Sequence, residues 1–230
     1  DEEGNWILDN VAANATAHYL HNMLFLLGSE PGKAAKVKEI TSEIYRANRI
    51  ENYDTAAVRM TDENGTEILY FATHAGEDFL GPEFCFEFEK GEIVYRAIPR
   101  RDGFPENVPD GSIAARFRNG SLKIYGNPLE NEMNKLWQSV AAVRAGADIA
   151  CGIEGAASHV QCVEEMQRPR EEISNFPREL ICTEDMPDHG DRRLYVKGLN
   201  EAMAFCYDQG ILPAEGSMSW AERGEHKVLE

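Results

Sequence analysis

Seven short runs rich in β-branched and aromatic residues, separated by turn residues, fill most of the stretch between positions 38 and 126. The runs are KEITSEIYRA, TAAVRM, TEILYFATH, EFCFEFE, EIVYRA, SIAARF and SLKIYG. Three joints between them, Asn64-Gly65, Lys90-Gly91 and Asn119-Gly120, carry turn residues, and Asn-Gly in particular favours the positive φ angles of tight hairpins. The pattern therefore predicts strands that pair antiparallel with their neighbours.

One of these runs predicts a strand with a strongly apolar face. In EFCFEFE the phenylalanines Phe84, Phe86 and Phe88 alternate with polar residues or cysteine, and successive side chains of a strand point to opposite faces. Such a face needs a cover, and two long periodic segments, 131–146 and 153–167, follow the strands and predict helices. We therefore predict an α+β fold: a large, open, mostly antiparallel sheet with helices packed on one face.

The two ends of the chain predict further helices. Residues 14–27 contain no Pro or Gly and carry apolar residues on more than one helical face, which indicates a mostly buried helix that Gly28 ends. Residues 168–193 are rich in Pro and charge and predict a loop with one short strand around Leu180. The segment LYVKGLNEAMAFCYDQG predicts a last amphipathic helix.

Length and charge limit the kinds of partner. The 230 residues are enough for one large domain spanning 1–230. A net charge of −17 repels phosphate backbones and anionic lipid headgroups, so we expect neither nucleic acid nor membrane partners. No apolar run reaches the roughly 20 residues that span a bilayer, and the start lacks the pattern of a signal peptide. We expect a soluble, cytoplasmic protein whose five separate cysteines are reduced core residues.

The sequence contains no motif that would hold a pyrophosphate. No Gly-x-Gly-x-x-Gly and no Gly-rich loop ending in Gly-Lys-Ser/Thr occurs in it.

Asn14 and His18 are four residues apart, which places them one turn apart on the same side of a helix. Histidine gains and loses its proton near neutral pH, and a neighbouring amide can orient it and bind a substrate hydroxyl. The alternative is a buried helix in which both side chains satisfy nearby backbone groups.

The segment ILDNVAANATAHYLHNMLFLLG resembles the opening of the second domain of the glucose–fructose oxidoreductase/inositol dehydrogenase (Gfo/Idh/MocA) family, where Asp-x-x-x-His precedes an apolar helix ending in Leu-Leu-Gly. The resemblance extends to IENYDTAAVRM, to the hairpins and to ADIACGIEGAASHVQCVEEMQ, and covers most of the chain up to residue 167. It implies hydride transfer between a CH–OH group of a sugar, polyol or sugar derivative and NAD or NADP, with His18 as acid/base or proton relay.

Two departures from the family pattern affect that expectation. Asn14 stands where the family usually has Asp, so it can orient or bind substrate but cannot take a proton. The family's catalytic Lys, in a Glu-Lys-Pro motif, has no counterpart in this sequence. We therefore expect the substrate-side domain of a longer enzyme whose dinucleotide-binding domain lies outside this chain, inactive by itself and without bound cofactor. The alternative is a non-catalytic oligomerisation or binding module built on the same sheet.

Other residues carry weaker signals. His159 in the late helix is a solvated or core histidine or lines the substrate pocket, and Trp6 packs in the core or closes over a sugar. His18 and His21 form His-x-x-His, but no acidic or Cys ligand is spaced to complete a zinc set, so we expect no metal.

Strand TEILYFATH predicts how copies of the chain associate. Its two faces, Ile68 and Tyr70 on one side and Leu69 and Phe71 on the other, both carry large apolar groups. Large exposed apolar patches usually mark interfaces, and the resembling family pairs second domains through their sheets. We therefore predict a homodimer, or a tetramer built from it, held through the sheet face around residues 66–74.

Overall fold

The structure, a computed structural model, describes residues 9–96, 108–130, 133–167, 173–186 and 191–229. Its helices are α1 (Ala17–Leu26), α2 (Asn134–Ala145), α3 (Ile153–Gln167) and α4 (Leu199–Gln209). Its strands are β1 (Val37–Arg46), β2 (Thr55–Asp62), β3 (Glu67–Thr73), β4 (Glu83–Phe88), β5 (Gly91–Arg96), β6 (Ile113–Phe117), β7 (Leu122–Gly126), β8 (Ser174–Asn175), β9 (Ile181–Met186), β10 (Asp191–Val196) and β11 (Glu225–Val228). The α+β class with mostly antiparallel strands is confirmed.

All seven predicted strands are present as β1 to β7, and the three predicted hairpins are confirmed. β2 pairs with β3, β4 with β5 and β6 with β7, each antiparallel. Gly65 and Gly120 have φ angles of 81° and 84°, a region that glycine adopts more readily than any residue with a Cβ atom.

The chain divides into two compact units, where the sequence favoured one domain. Residues 1–78 and 150–230 belong to the first unit and residues 79–149 to the second. In the first unit β11, β1, β2 and β3 form an antiparallel sheet in that order, and β8 pairs in parallel with β1.

Helices α1 and α3 cover one face of this sheet; of the two helices predicted as its cover, 131–146 and 153–167, only the second does so. Ala56, Val58 and Met60 on β2 belong to one buried cluster with Leu24 of α1 and Val163 of α3. The intervening side chains of β2 face the other way, so this central strand is buried on both sides.

The opposite face of the sheet is covered as well, which the sequence did not predict. Leu199 and Met203 of α4 lie in a second buried cluster with Ala57 of β2, and Leu69 and Phe71 of β3 pack against it. The Phe71 ring lies 6.4 Å from the Tyr207 ring. The premise of the sheet-face dimer was therefore wrong: the outer apolar groups of β3 are partly buried within one chain.

The second unit is a four-stranded antiparallel sheet in the order β4-β5-β6-β7, with α2 after it. Phe84 stacks on Tyr95 at 5.3 Å, and a small buried cluster contains Val94, Val108 and Ala114. No residue of α2 is buried, so α2 does not form the expected cover over the phenylalanine face of β4.

Three boundaries differ from the sequence prediction. α1 begins at Ala17, after a run of turns, so Asn14 lies outside it. Gly28 follows the helix but does not adopt the left-handed conformation of a C-cap. The position requires glycine because a Cβ atom there would lie 1.8 Å from the Lys33 carbonyl oxygen. Residues Leu194–Val196, predicted as helix, end strand β10, which pairs with β9.

The cysteines were only partly predicted. All five are free thiols, and Cys162 and Cys206 are buried, but Cys85 and Cys151 are exposed. No helix within the described residues is both long and apolar enough to cross a membrane.

Candidate functional site

A cleft of about 420 Å³ opens in the first unit, beside the turns that precede α1. This volume lies within the range of small-molecule sites. The cleft is lined by Asp9, Asn10, Val11, Asn14, Ile50, Glu51, Asn52, Tyr53, Asp54 and His74. The lining thus comes from the turns before α1, the loop between β1 and β2, and the residue after β3.

The turns before α1 are shaped by Asn10. Its side-chain oxygen accepts hydrogen bonds from the backbone N–H groups of Ala12 and Ala13, both at 2.9 Å, as expected of a capping side chain. Asn14 follows in these turns, and its amide donates to a carboxylate oxygen of Asp9 at 3.1 Å. Asn14 is exposed, so this predicted substrate contact lies at the open side of the cleft.

The loop between β1 and β2 is fixed by the buried carboxylate of Asp54. The carboxylate accepts hydrogen bonds from the backbone N–H groups of Ala47 at 3.0 Å and Asn48 at 2.8 Å. It also accepts hydrogen bonds from the side-chain amide of Asn48 at 2.8 Å and the hydroxyl of Thr55 at 3.1 Å. Arg46 adds hydrogen bonds to the carbonyl oxygens of Ile50 and Glu51. With its oxygens occupied in this way, Asp54 holds the wall of the cleft in place.

Two buried amide groups of the cleft have hydrogen atoms to donate. Asn10 and Asn52 are each 5% exposed, and the Nδ2 atom of each has no hydrogen-bond partner among the described residues. The Asn52 oxygen is already occupied by the Tyr53 N–H at 2.9 Å and by Gln167. Buried donors without partners are uncommon in folded proteins, so these two mark the cleft as a place where acceptor groups can bind.

The exposed carboxylates of Asp9 and Glu51 supply acceptors on the same cleft. A cleft that offers both donors and acceptors suits a compound with several hydroxyl groups, because a hydroxyl both donates and accepts. Sequence reasoning missed Glu51, Asn52 and the contribution of His74, since only the folded chain brings the β1–β2 loop beside the turns before α1.

The predicted His18 and His159 lie outside this lining. His18 is exposed on the first turn of α1. His159 is half-buried on α3, with its Nε2 atom 2.9 Å from the Ala12 carbonyl oxygen, where an N–H can donate and tie α3 to the turns before α1. Trp6 lies outside the described residues. No group of three or more potential ligands arranged for a metal ion occurs in the described part of the chain.

Neither a protein-family model nor a curated protein matches the sequence. Solved structures match the fold: the UDP-N-acetylglucosamine 3-dehydrogenase GnnA from Acidithiobacillus ferrooxidans does so with a TM-score of 0.53 at 14% identity, over 70% of this chain and 47% of that chain. The oxidoreductase yvaA from Bacillus subtilis matches with a TM-score of 0.50 at 14% identity, over 72% and 51%. A mutant of KijD10, a 3-ketoreductase from Actinomadura kijaniata in complex with TDP-benzene and NADP, matches with 0.51 at 12%, over 72% and 49%. This chain therefore has the fold of about half of each of these oxidoreductases.

Proposed function

We propose that this chain is the substrate-side part of an NAD(P)-dependent oxidoreductase of the Gfo/Idh/MocA type that acts on a CH–OH group of a sugar, polyol or sugar derivative. The observation that carries the proposal is the cleft beside α1, in a fold shared with about half of several oxidoreductase chains. The family resemblance of the sequence around His18 points to the same end of α1.

In this proposal the cleft binds and orients the hydroxyl-bearing substrate. The Nδ2 groups of Asn10 and Asn52 donate to substrate oxygens, and the Asp9 and Glu51 carboxylates accept from substrate hydroxyls. Asn14 at the open side of the cleft contributes a further amide. His159 supports the site by holding the turns before α1 against α3, and a direct substrate contact by His159 or by Trp6 stays a prediction.

His18 is the proposed acid/base or proton relay for the reacting hydroxyl. It lies on the first turn of α1, four residues after Asn14, and is exposed, so its ring is accessible to a substrate that extends beyond the cleft. The remaining walls of the active site would come from the part of the full-length protein outside this chain.

The nicotinamide cofactor, NAD or NADP, would accept or supply the hydride in the full-length enzyme. The residues of this chain do not fit it: the sequence has no Gly-rich phosphate-binding turn between a strand and a helix, and the acidic cleft offers no cluster of Lys or Arg for phosphates. We therefore include in the proposal a separate part of the full-length enzyme that binds the dinucleotide.

A substitution of His18 tests the proposed role. His18→Ala in the full-length enzyme should lower kcat by on the order of 10² to 10⁴, the usual effect of removing a general acid/base. His226→Ala is the matched control, because His226 is an exposed histidine on β11 that bonds to Thr41 and lies outside the cleft. Near-normal turnover of the His18 variant would remove His18 from the mechanism.

A homo-oligomer is also part of the proposal. The outer face of β3 is covered by α4, but β3 lies at one edge of its sheet. An edge strand presents backbone N–H and C=O groups with which a second chain can pair. This supports association through the same strand, Thr66 to His74, with the edge rather than the face as the contact.

A further inference from the structure

Cys151 and His21 form a close pair outside the cleft. The Cys151 sulfur lies 3.3 Å from the Nε2 atom of His21, although the two residues are 130 positions apart in the sequence. Neither lines the cleft beside α1. The pair joins the middle of α1 to the residues just before α3.

The surroundings of the Cys151 sulfur suit a nucleophile. The residue is exposed and stands two positions before the first residue of α3. A Cβ atom built on Gly155 would lie 3.4 Å from the sulfur, so the sulfur rests on the first turn of that helix. The sulfur therefore lies at an accessible position with an imidazole nitrogen within hydrogen-bond distance, and the thiolate formed on loss of the proton is the nucleophilic form of cysteine.

The His21 ring is available to accept the thiol proton. Partial burial, and then repulsion from His159 and His18, lower the pKa of His21 below its ordinary value of 6.5, so the ring is neutral at pH 7. Its Nδ1 atom is buried without a hydrogen-bond partner among the described residues. In the tautomer that carries its hydrogen on Nδ1, the Nε2 lone pair faces the Cys151 sulfur and can accept the thiol proton.

Three other cysteines of the chain lack these properties. Burial raises the pKa of Cys162 to about 12 and that of Cys206 to about 11. Cys85 is exposed, yet desolvation and the nearby Glu92 and Glu87 carboxylates raise its pKa to about 12. Cys85 is thus an exposed thiol held in its unreactive form, and it serves as an internal standard.

We propose that Cys151 and His21 form a reactive thiol pair at which peroxide oxidises Cys151 to a sulfenic acid. The sulfur attacks one oxygen of hydrogen peroxide while His21 Nε2 takes the thiol proton. The S–O bond forms as the O–O bond breaks, and the departing hydroxide receives the proton from His21. Cys–SH and H₂O₂ become Cys–SOH and H₂O, and His21 ends as it began. This modification does not depend on the oxidoreductase function proposed above.

Trapping of the sulfenic acid tests the pair. The 230-residue chain is treated with hydrogen peroxide in the presence of a cyclic 1,3-dione probe, and labelling of each cysteine is followed by peptide mass spectrometry. Cys151 should be labelled at least roughly tenfold faster than Cys85, because thiolate character governs susceptibility. In His21→Asn the Cys151 rate should fall by roughly tenfold or more, as expected when a general base is lost.

His226→Asn is the matched control and should leave the Cys151 rate unchanged, because His226 is bonded to Thr41 on another strand. Labelling of the buried Cys162 and Cys206 would show that a variant has unfolded. The proposal is then tested by the ratio of the Cys151 and Cys85 labelling rates in the unmodified chain. Equal labelling of Cys151 and Cys85, or a folded His21→Asn chain that keeps the full Cys151 rate, would overturn the proposal.

Discussion

At the scale of single residues, the cleft depends on side chains whose role is to hold backbone. The Asp54 carboxylate accepts hydrogen bonds from two backbone N–H groups and from the side chains of Asn48 and Thr55. The Asn10 side chain accepts two backbone N–H groups in the turns before α1. Asx residues near turns are visible in a sequence. The sequence does not show which of them also line a cleft, because Asn10 and Asn52 reach the same cleft from segments about 40 residues apart.

Glu43 is the residue whose ionisation should most affect stability. It is 1% exposed, and burial raises its pKa above the ordinary value of 4.5, although hydrogen bonds from the Ala214 N–H at 3.1 Å and the Tyr45 hydroxyl at 3.0 Å favour the carboxylate. Glu215 also faces it and raises the pKa further. Between pH 4.5 and the raised pKa, the folded chain therefore binds more protons than the unfolded chain.

The free energy of unfolding should consequently decrease as pH rises through the folded pKa of Glu43, and remain lower above it. Glu43→Gln keeps an oxygen that can accept both hydrogen bonds but has no charge to bury, so it should gain stability relative to the unmodified chain as pH increases. Urea unfolding of both chains from pH 4 to 8 measures this difference. A difference that does not change with pH would show that Glu43 does not titrate in this way.

At the scale of elements, strands and hairpins were predictable because their signals are local. Alternation and the Asn-Gly joints located β2 to β7 to within two residues. The short strand predicted around Leu180 corresponds to β9, which begins at Ile181. Strand β10 was not predicted, since Leu194–Val196 were included in the last helix and only pairing with β9 sets them apart. The position of α4 on the outer face of the sheet likewise depends on contacts far apart in sequence.

Helix α4 should contribute to the core and not merely lie on the surface. Leu199 is fully buried in the second cluster, whereas Phe205 on the same helix is 46% exposed. Leu199→Ala should lower the free energy of unfolding by about 2–5 kcal/mol, and Phe205→Ala, as the control, by less than about 1 kcal/mol. Urea unfolding compares them, and equal losses would mean that α4 does not seal this face.

At the scale of the whole molecule, the sequence predicted association for a reason that the structure removes. Leu69 and Phe71 pack against the cluster that contains α4, so only the edge of β3 is left to pair. We expect light scattering at micromolar concentration to give twice the 25.8 kDa mass of one chain. Glu67→Pro changes an exposed residue of this edge strand and removes one backbone N–H group from it, so it should shift the mass towards one chain. A mass of 25.8 kDa that does not change on concentration would refute the dimer.

The charge of the molecule is consistent with the proposal that this chain binds the hydroxyl-bearing substrate and not the dinucleotide. A net charge of −17 and a cleft with exposed carboxylates suit hydroxyl groups better than phosphates. The chain spans about half the length of the oxidoreductases whose fold it shares. In the function proposed above, the dinucleotide site is accordingly placed outside this chain.

To learn whether the dinucleotide site lies outside this chain, NADH and NADPH are titrated side by side into the 230-residue chain and the full-length protein, with nucleotide fluorescence as the signal. We expect saturable binding at micromolar concentration by the full-length protein and none by this chain, because its sequence has no Gly-rich phosphate-binding motif. Saturable micromolar binding by the chain alone, or no binding by the full-length protein, would contradict it.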